Sequence, residues 1–99
     1  MYQYHADFCK VFCHPVRLGI LDLLRHNWMN VSELSRQLGT RQTVVSQHLA
    51  ILRRVGAVKA ERRGRSIYYA VADKRIIEAY DVIEEFIKKA KLEEAEILS

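Results

Sequence analysis

The intrinsically reactive side chains of this 99-residue chain crowd toward its N-terminus. His5, Cys9 and Cys13 recur every four residues, so on one continuous helix they would line a single face, with His14 beside them. Thiolate and imidazole together suit a soft ligand such as Zn, Cu(I) or arsenite, and neighbouring thiols equally suit an oxidant or a reactive sulfur species. Two cysteines only four positions apart cannot build a secreted-type disulfide scaffold, so both are read as free thiols. The competing reading is packing, because free cysteine behaves as a small buried apolar group. A soft-metal or thiol-redox effector therefore stands beside no cofactor at all. Catalysis fits worse: Cys13-His14 is the one adjacent Cys and His, and Pro15 after it serves a helix break. The chain is not read as an enzyme.

A second chemistry lies in the middle of the chain, where Arg41, Gln42, Thr43, Ser46 and Gln47 share the polar side of an amphipathic stretch. Such short or forked groups match base edges and phosphates, and no acidic residue interrupts them. An ordinary solvated helix face would look the same in isolation, but the charge distribution decides against that reading. Residues 36–65 hold eight Lys and Arg against one Glu, whereas residues 1–35 balance at three each and residues 66–99 hold five against eight. A basic middle of this kind is the footprint of a polyanion partner. Arg62, Arg63 and Arg65 around Gly64 add a tip suited to phosphates. An acidic membrane surface would also attract these charges, but the Trp, Phe and Leu face of an interfacial helix is missing. Double-stranded DNA is the expected partner, and a membrane is not. With no run of 18 apolar residues and no N-terminal signal pattern, the expected location is the cytoplasm.

The elements that must position these groups follow from periodicity and punctuation. Tyr4, Phe8, Val11 and Phe12 predict a helix from Tyr4 to Cys13, and His14-Pro15 interrupts it. A second helix is expected from Pro15 to about Arg25, so rich in apolar residues that it should be the central one. Asn30 and Glu33 form a capping pair that opens a third, with Val31, Leu34 and Leu38 as its buried stripe and Gly39 at its end. Thr40 is the expected N-cap of a fourth helix that buries Val45, Leu49 and Leu52 and stops at Gly56. The joint of Gly39 and Thr40 is short enough to mark a helix-turn-helix. V-K-A-E-R and S-I-Y-Y-A-V then alternate as strands about Arg63-Gly64-Arg65. Asp73 caps a last helix running to about Lys91, with residues 91–99 expected to fray. The fold is thus mainly α with a β-hairpin wing, a winged helix-turn-helix in the order α-α-α-α-β-β-α, formed as a single domain over residues 1–99. Its core is thin enough that a dimer interface would help to hold it.

The strings H-P-V-R-L-G-I-L at 14–21, V-S-E-L-S-R-Q-L-G at 31–39, V-S-Q-H-L-A-I-L-R-R-V-G at 45–56 and G-R-S-I-Y-Y-A-V at 64–71 carry a further signal. In combination they resemble the ArsR/SmtB family of prokaryotic winged-helix repressors. The resemblance implies a homodimer paired through the first and last helices, with Phe8, Val11, Phe12, Tyr80, Ile83 and Ile87 in the interface. It also implies two recognition helices about 34 Å apart on an inverted-repeat operator. His48 would be a hydrogen-bonded structural histidine at the junction of recognition helix and wing. Arsenic-sensing relatives carry C-V-C-D-L-C where this chain has Asn30 to Ser35, and zinc-sensing relatives ligate at positions held here by Asp73, Arg75, Phe86 and Lys89. Arg and Lys repel a cation and Phe cannot bind one, so neither well-known metal site is expected to operate. The leading expectation is a repressor that leaves its operator when an inducer arrives. A winged helix used only for protein contacts is the alternative.

Overall fold

The computed structural model describes residues 1–98. The chain order is α1 (Tyr2–Cys9), a 3-10 turn (Lys10–Phe12), α2 (Pro15–Leu23), β1 (Met29–Asn30), α3 (Val31–Leu38), α4 (Gln42–Arg54), β2 (Val58–Arg63), β3 (Ser66–Val71) and α5 (Lys74–Leu98). The winged helix-turn-helix expected from the sequence is therefore present, with one strand more. Met29 and Asn30 pair antiparallel with Tyr69 and Tyr68, which makes β3 the centre of a three-stranded sheet in the order β1-β3-β2. Two residues are too short a run to show alternation, so β1 has no signature in the sequence.

Several boundaries are set by local chemistry. Pro15 occupies the first turn of α2, and His14 caps that helix by accepting from the Val16 amide through Nδ1 at 3.1 Å. Asn30 and Glu33 form the expected reciprocal capping box, at 2.8 Å and 3.1 Å. Gly39 then closes α3 at φ +61°, a left-handed conformation that a side chain would resist. Asp73 caps α5 through a 2.8 Å bond from the Arg75 amide.

Other expectations are corrected. The first helix stops at Cys9 and tightens into a 3-10 turn, which carries Val11 into the core ahead of the break at His14-Pro15. α2 ends at Leu23, short of Arg25, since Arg25 turns to bind Asp22 and Asp81. α5 runs on past Lys91 to Leu98, through the stretch expected to fray, and Ser99 lies outside the described residues. Thr40 does not cap α4: its hydroxyl donates back to the Leu38 carbonyl, its own carbonyl accepts from Ser35 Oγ, and Arg41 holds the N-cap position without a side-chain bond.

Ile20, Leu21, Leu24, Leu34, Val45, Leu49, Leu52 and Val58 are buried at the centre, so α2 is indeed the core helix, crossed by α3 and α4. Val11 belongs to the same core, with none of its surface exposed. The resemblance implies a place for it at the dimer interface, but the 3-10 turn rotates it inward within its own protomer, and this corrects that assignment. α5 is tied to the body by buried Ile76 near its start and by Arg25, whose guanidinium makes two 2.9 Å bonds to Asp81. The carboxylates of Asp81 and Asp22 raise the Arg25 pKa further, so this tie stays charged.

Candidate nucleic-acid interface

α4 is placed by its apolar side. Val45, Leu49 and Leu52 enter the core, and the helical period then turns Gln42, Thr43, Ser46 and Gln47 outward, where all four are exposed together with Arg41. Because Arg41 makes no side-chain cap, the first amides of α4 are left open at an exposed, electropositive helix end. A phosphate oxygen is the partner such an end favours. No carboxylate forms an ion pair with Arg41, Arg62 or Arg65 among the described residues.

The wing supplies the second wall. β2 and β3 pair in register from Val58 with Val71 to Arg63 with Ser66, leaving a two-residue loop of Gly64 and Arg65. Gly64 has φ +63° and no other residue type has positive φ among the described residues, which is the II′ pattern that matches strand twist. Alternation puts Arg62, Ile67 and Tyr69 on one sheet face and Lys59, Glu61, Arg63 and Tyr68 on the other. Ile67 and Tyr69 of the first face, together with Arg65 and Ser66 at the wing tip, line a cleft completed by Gln42 and Ser46 of α4 and by Asn30, Val31 and Ser32. α4 and the wing tip thus bound one concave surface.

Arg63 does not join that surface. Its guanidinium lies 4.9 Å from the Trp28 ring centroid and 5.2 Å from that of Tyr68, and it sits 3.6 Å from Glu61. Of the three wing arginines expected to meet phosphate, Arg62 and Arg65 are free to do so and Arg63 is engaged elsewhere. Sequence reasoning misses Trp28, because a lone aromatic in H-N-W-M-N carries no periodic signal.

His48 lies away from the helix-wing junction, which corrects the position the resemblance implied. Its ring packs on His14 with centroids 4.2 Å apart and planes inclined by 35°, so it bridges α4 to the start of α2. Its Nδ1 is buried and finds no hydrogen-bond partner among the described residues, which corrects the expected hydrogen bond. Burial, then the neighbouring His14 and Arg17, push its pKa below the usual imidazole value.

The thiols are separated by the break after Cys9. Cys9 is half-buried at the end of α1, while Cys13 is exposed beyond the 3-10 turn and its Sγ lies 3.3 Å from the Cys9 carbonyl oxygen. His5 is exposed on α1. The three no longer share one continuous helical face, and among the described residues no three or more His, Cys, Asp or Glu are grouped to hold a metal ion. Around the other expected interface, Phe12, Leu18, Tyr80, Ile83 and Ile87, with Glu84 among them, line a mostly apolar groove between α5 and the first half of the chain, and Phe8 is half-buried against the core.

Residues 14–60 match the family model described as bacterial regulatory protein, arsR family. The uncharacterized HTH-type transcriptional regulator Rv0081 of Mycobacterium tuberculosis is 33% identical over 99% of this chain and 87% of its own length. Its crystal structure superposes with a TM-score of 0.86, covering 95% of each chain. The homodimeric winged helix-turn-helix DNA-binding domain of Mb0332 from Mycobacterium bovis is 26% identical and gives 0.81, covering 90% of this chain and 82% of that one. The transcriptional repressor BigR of Xylella fastidiosa is 28% identical and gives 0.76, covering 86% and 87%.

Proposed function

The chain belongs to the ArsR/SmtB family of winged helix-turn-helix transcriptional regulators, and from that premise we propose that it is a homodimeric repressor of an inverted-repeat operator, released by an inducer. It is a DNA-binding regulator and not an enzyme. One observation carries the reading: the polar face of α4, its open N-terminus, and Arg65 of the wing turn the same way, around one cleft free of acidic side chains. Gln42 and Ser46 would meet base edges, while Arg41, Arg62 and Arg65 would meet phosphates, with Thr43 and Gln47 beside them. Homodimerisation is supported by the Mb0332 relative and by the apolar groove at Phe12, Tyr80, Ile83 and Ile87. No helix among the described residues is long and apolar enough to cross a membrane, which accords with a cytoplasmic regulator.

We assign the inducer to thiol chemistry, an oxidant or a soft metal ion acting at exposed Cys13 and half-buried Cys9 with His5 nearby. The N-terminal segment packs on α2, so a change there could alter the seating of both recognition helices.

A gel-shift screen of genomic fragments tests the function. A repressor selects a discrete site, whereas a winged helix serving protein contacts selects none. At that site, Gln42→Ala or Ser46→Ala should alter base preference, each good bidentate pair supplying roughly 1 to 3 kcal/mol of discrimination. Arg65→Ala should weaken all sequences alike and reduce the salt slope by about one. Loss of operator affinity on treatment with oxidant or arsenite, in the native protein but not in the Cys9→Ser, Cys13→Ser double variant, is the expected inducer result. Equal loss in both would place the inducer elsewhere.

A further inference from the structure

Trp28 is the single tryptophan of the chain and lies in the turn from α2 to β1, immediately before the strand. Two wing cations rest on its ring: Lys59 Nζ at 5.4 Å and the Arg63 guanidinium at 4.9 Å from the centroid. Arg63 lies at the same time 5.2 Å from the Tyr68 ring, so it is held between two aromatics. Strand pairing explains the cluster. Lys59 and Arg63 alternate onto the sheet face opposite to Ile67 and Tyr69, and the latter two are the residues that line the α4 cleft. Trp28 therefore spans the outer face of β2 from Lys59 near its base to Arg63 at its tip.

That span matters because the distal wing has little else to hold it. β1 pairs with Tyr68 and Tyr69 alone, so beyond them the hairpin is two-stranded, and such a ribbon is marginal without a packed face. Its orientation decides where Arg65 meets a phosphate once α4 is seated in the groove.

We propose that Trp28 is a positioning residue for DNA binding: by holding Arg63 and Lys59 on the outer face, it fixes the wing against α4 so that Arg62 and Arg65 arrive at the phosphate backbone together with the recognition helix. The inference rests on the DNA-binding function. Arg63 contributes through Trp28, not through a phosphate of its own. Order imposed before binding removes part of the cost of association, and removing two such cation-ring interactions corresponds to about a tenfold weakening.

The test measures affinity of the full chain for a short mixed-sequence duplex as a function of salt, with circular dichroism to confirm folding. Trp28→Leu, which keeps apolar bulk but lacks a π face, and Arg63→Ala should each weaken binding about tenfold. Neither should change the salt slope by as much as one phosphate, the slope falling by about 0.9 for each phosphate no longer neutralised. The double variant should weaken binding by clearly less than the product of the two single effects, because the Trp28–Arg63 contact is lost in both. Trp28→Phe should stay within about threefold of the native protein, since phenylalanine retains a cation-binding face. Arg65→Ala serves as the independent check on DNA binding: it alone should lower the slope by about one. If Arg65→Ala leaves the slope unchanged while Arg63→Ala lowers it, Arg63 is the phosphate ligand and the proposal is overturned. Trp28→Phe as damaging as Trp28→Leu overturns it too, because the ring-cation interaction would then not be the cause. Should Trp28→Leu fail to fold, Arg63→Met decides: an equal weakening at constant slope supports positioning, and a reduced slope refutes it.

Discussion

Protonation of His48 opposes the fold. Its ring is partly buried and packed on His14, its Nδ1 finds no partner among the described residues, and Arg17 adds like charge, so the folded protein holds it neutral to lower pH than the unfolded chain does. The unfolded chain takes up this proton near the ordinary value of 6.5. Stability is therefore whole above that value, declines as pH falls below it, and has lost the full contribution once the depressed folded value is passed. Asp73 titrates in a separate window: side-chain and amide bonds from Arg75 hold its carboxyl down to about 2, so its contribution persists above 3.8 and disappears only in strong acid. Thermal melts between about pH 7.5 and pH 5.5 should show a falling midpoint in the native protein and a flatter one in His48→Gln. Equal slopes in the two would mean that His48 is not the group responsible. Since His48 lies on α4, the same acid shift should loosen the seating of the recognition helix.

Among the elements, α3 carries the most weight for its length, because eight residues must hold α4 at a fixed angle through a turn of three residues. The capping box at its start satisfies two amides that would otherwise be exposed or unpaired. Asn30→Ala should cost about 1 kcal/mol in urea unfolding, and Glu33→Gln much less, because glutamine can also reach back to the Asn30 amide. A neutral Asn30→Ala would show that the pairing of Asn30 with Tyr68 in the sheet, and not the cap, orders this end of α3. The open start of α4 contrasts with it. One helix end is closed by side chains for stability, and the next is left available to an anion.

For the whole molecule, the exposed apolar surface lies mainly on α5, with Met1, Tyr2 and Tyr4 adding to it at the N-terminus. On α5, Val82, Ile83, Phe86, Ile87, Leu92 and Ile97 are all exposed, Phe86 to 71% and Ile97 to 83%. A monomer would leave this surface in water, whereas a second copy would cover it and extend the thin core of each protomer. Ile83→Asp places a carboxylate beside Phe12, Tyr80 and Ile87 and should raise the dimer dissociation constant by about a hundredfold or more, since an unpaired buried charge costs on the order of 3 kcal/mol or more. Analytical ultracentrifugation reads this directly. An undiminished dimer would move the interface away from this groove, and a monomer should also lose the avidity that two recognition helices give.

What the chain determined locally was legible from its residues. The apolar spacing of Val45, Leu49 and Leu52, the Asn30-Glu33 pair, Gly39 in its left-handed turn, Gly64 at the wing tip and the basic run of residues 36–65 each act over a few positions, and each predicts an element or a surface now seen. Contacts between distant residues had no such trace. Whether Val11 faced a partner or its own core depended on the bend after Cys9, and whether Thr40 capped α4 depended on where α3 left its last carbonyls. Arg63 is as basic as its neighbours in the sequence, yet the parity of β2 and the arrival of Trp28 from another part of the chain turned it from the DNA side to the outer face. Periodicity fixes which residues share a face; only packing between elements decides what that face meets.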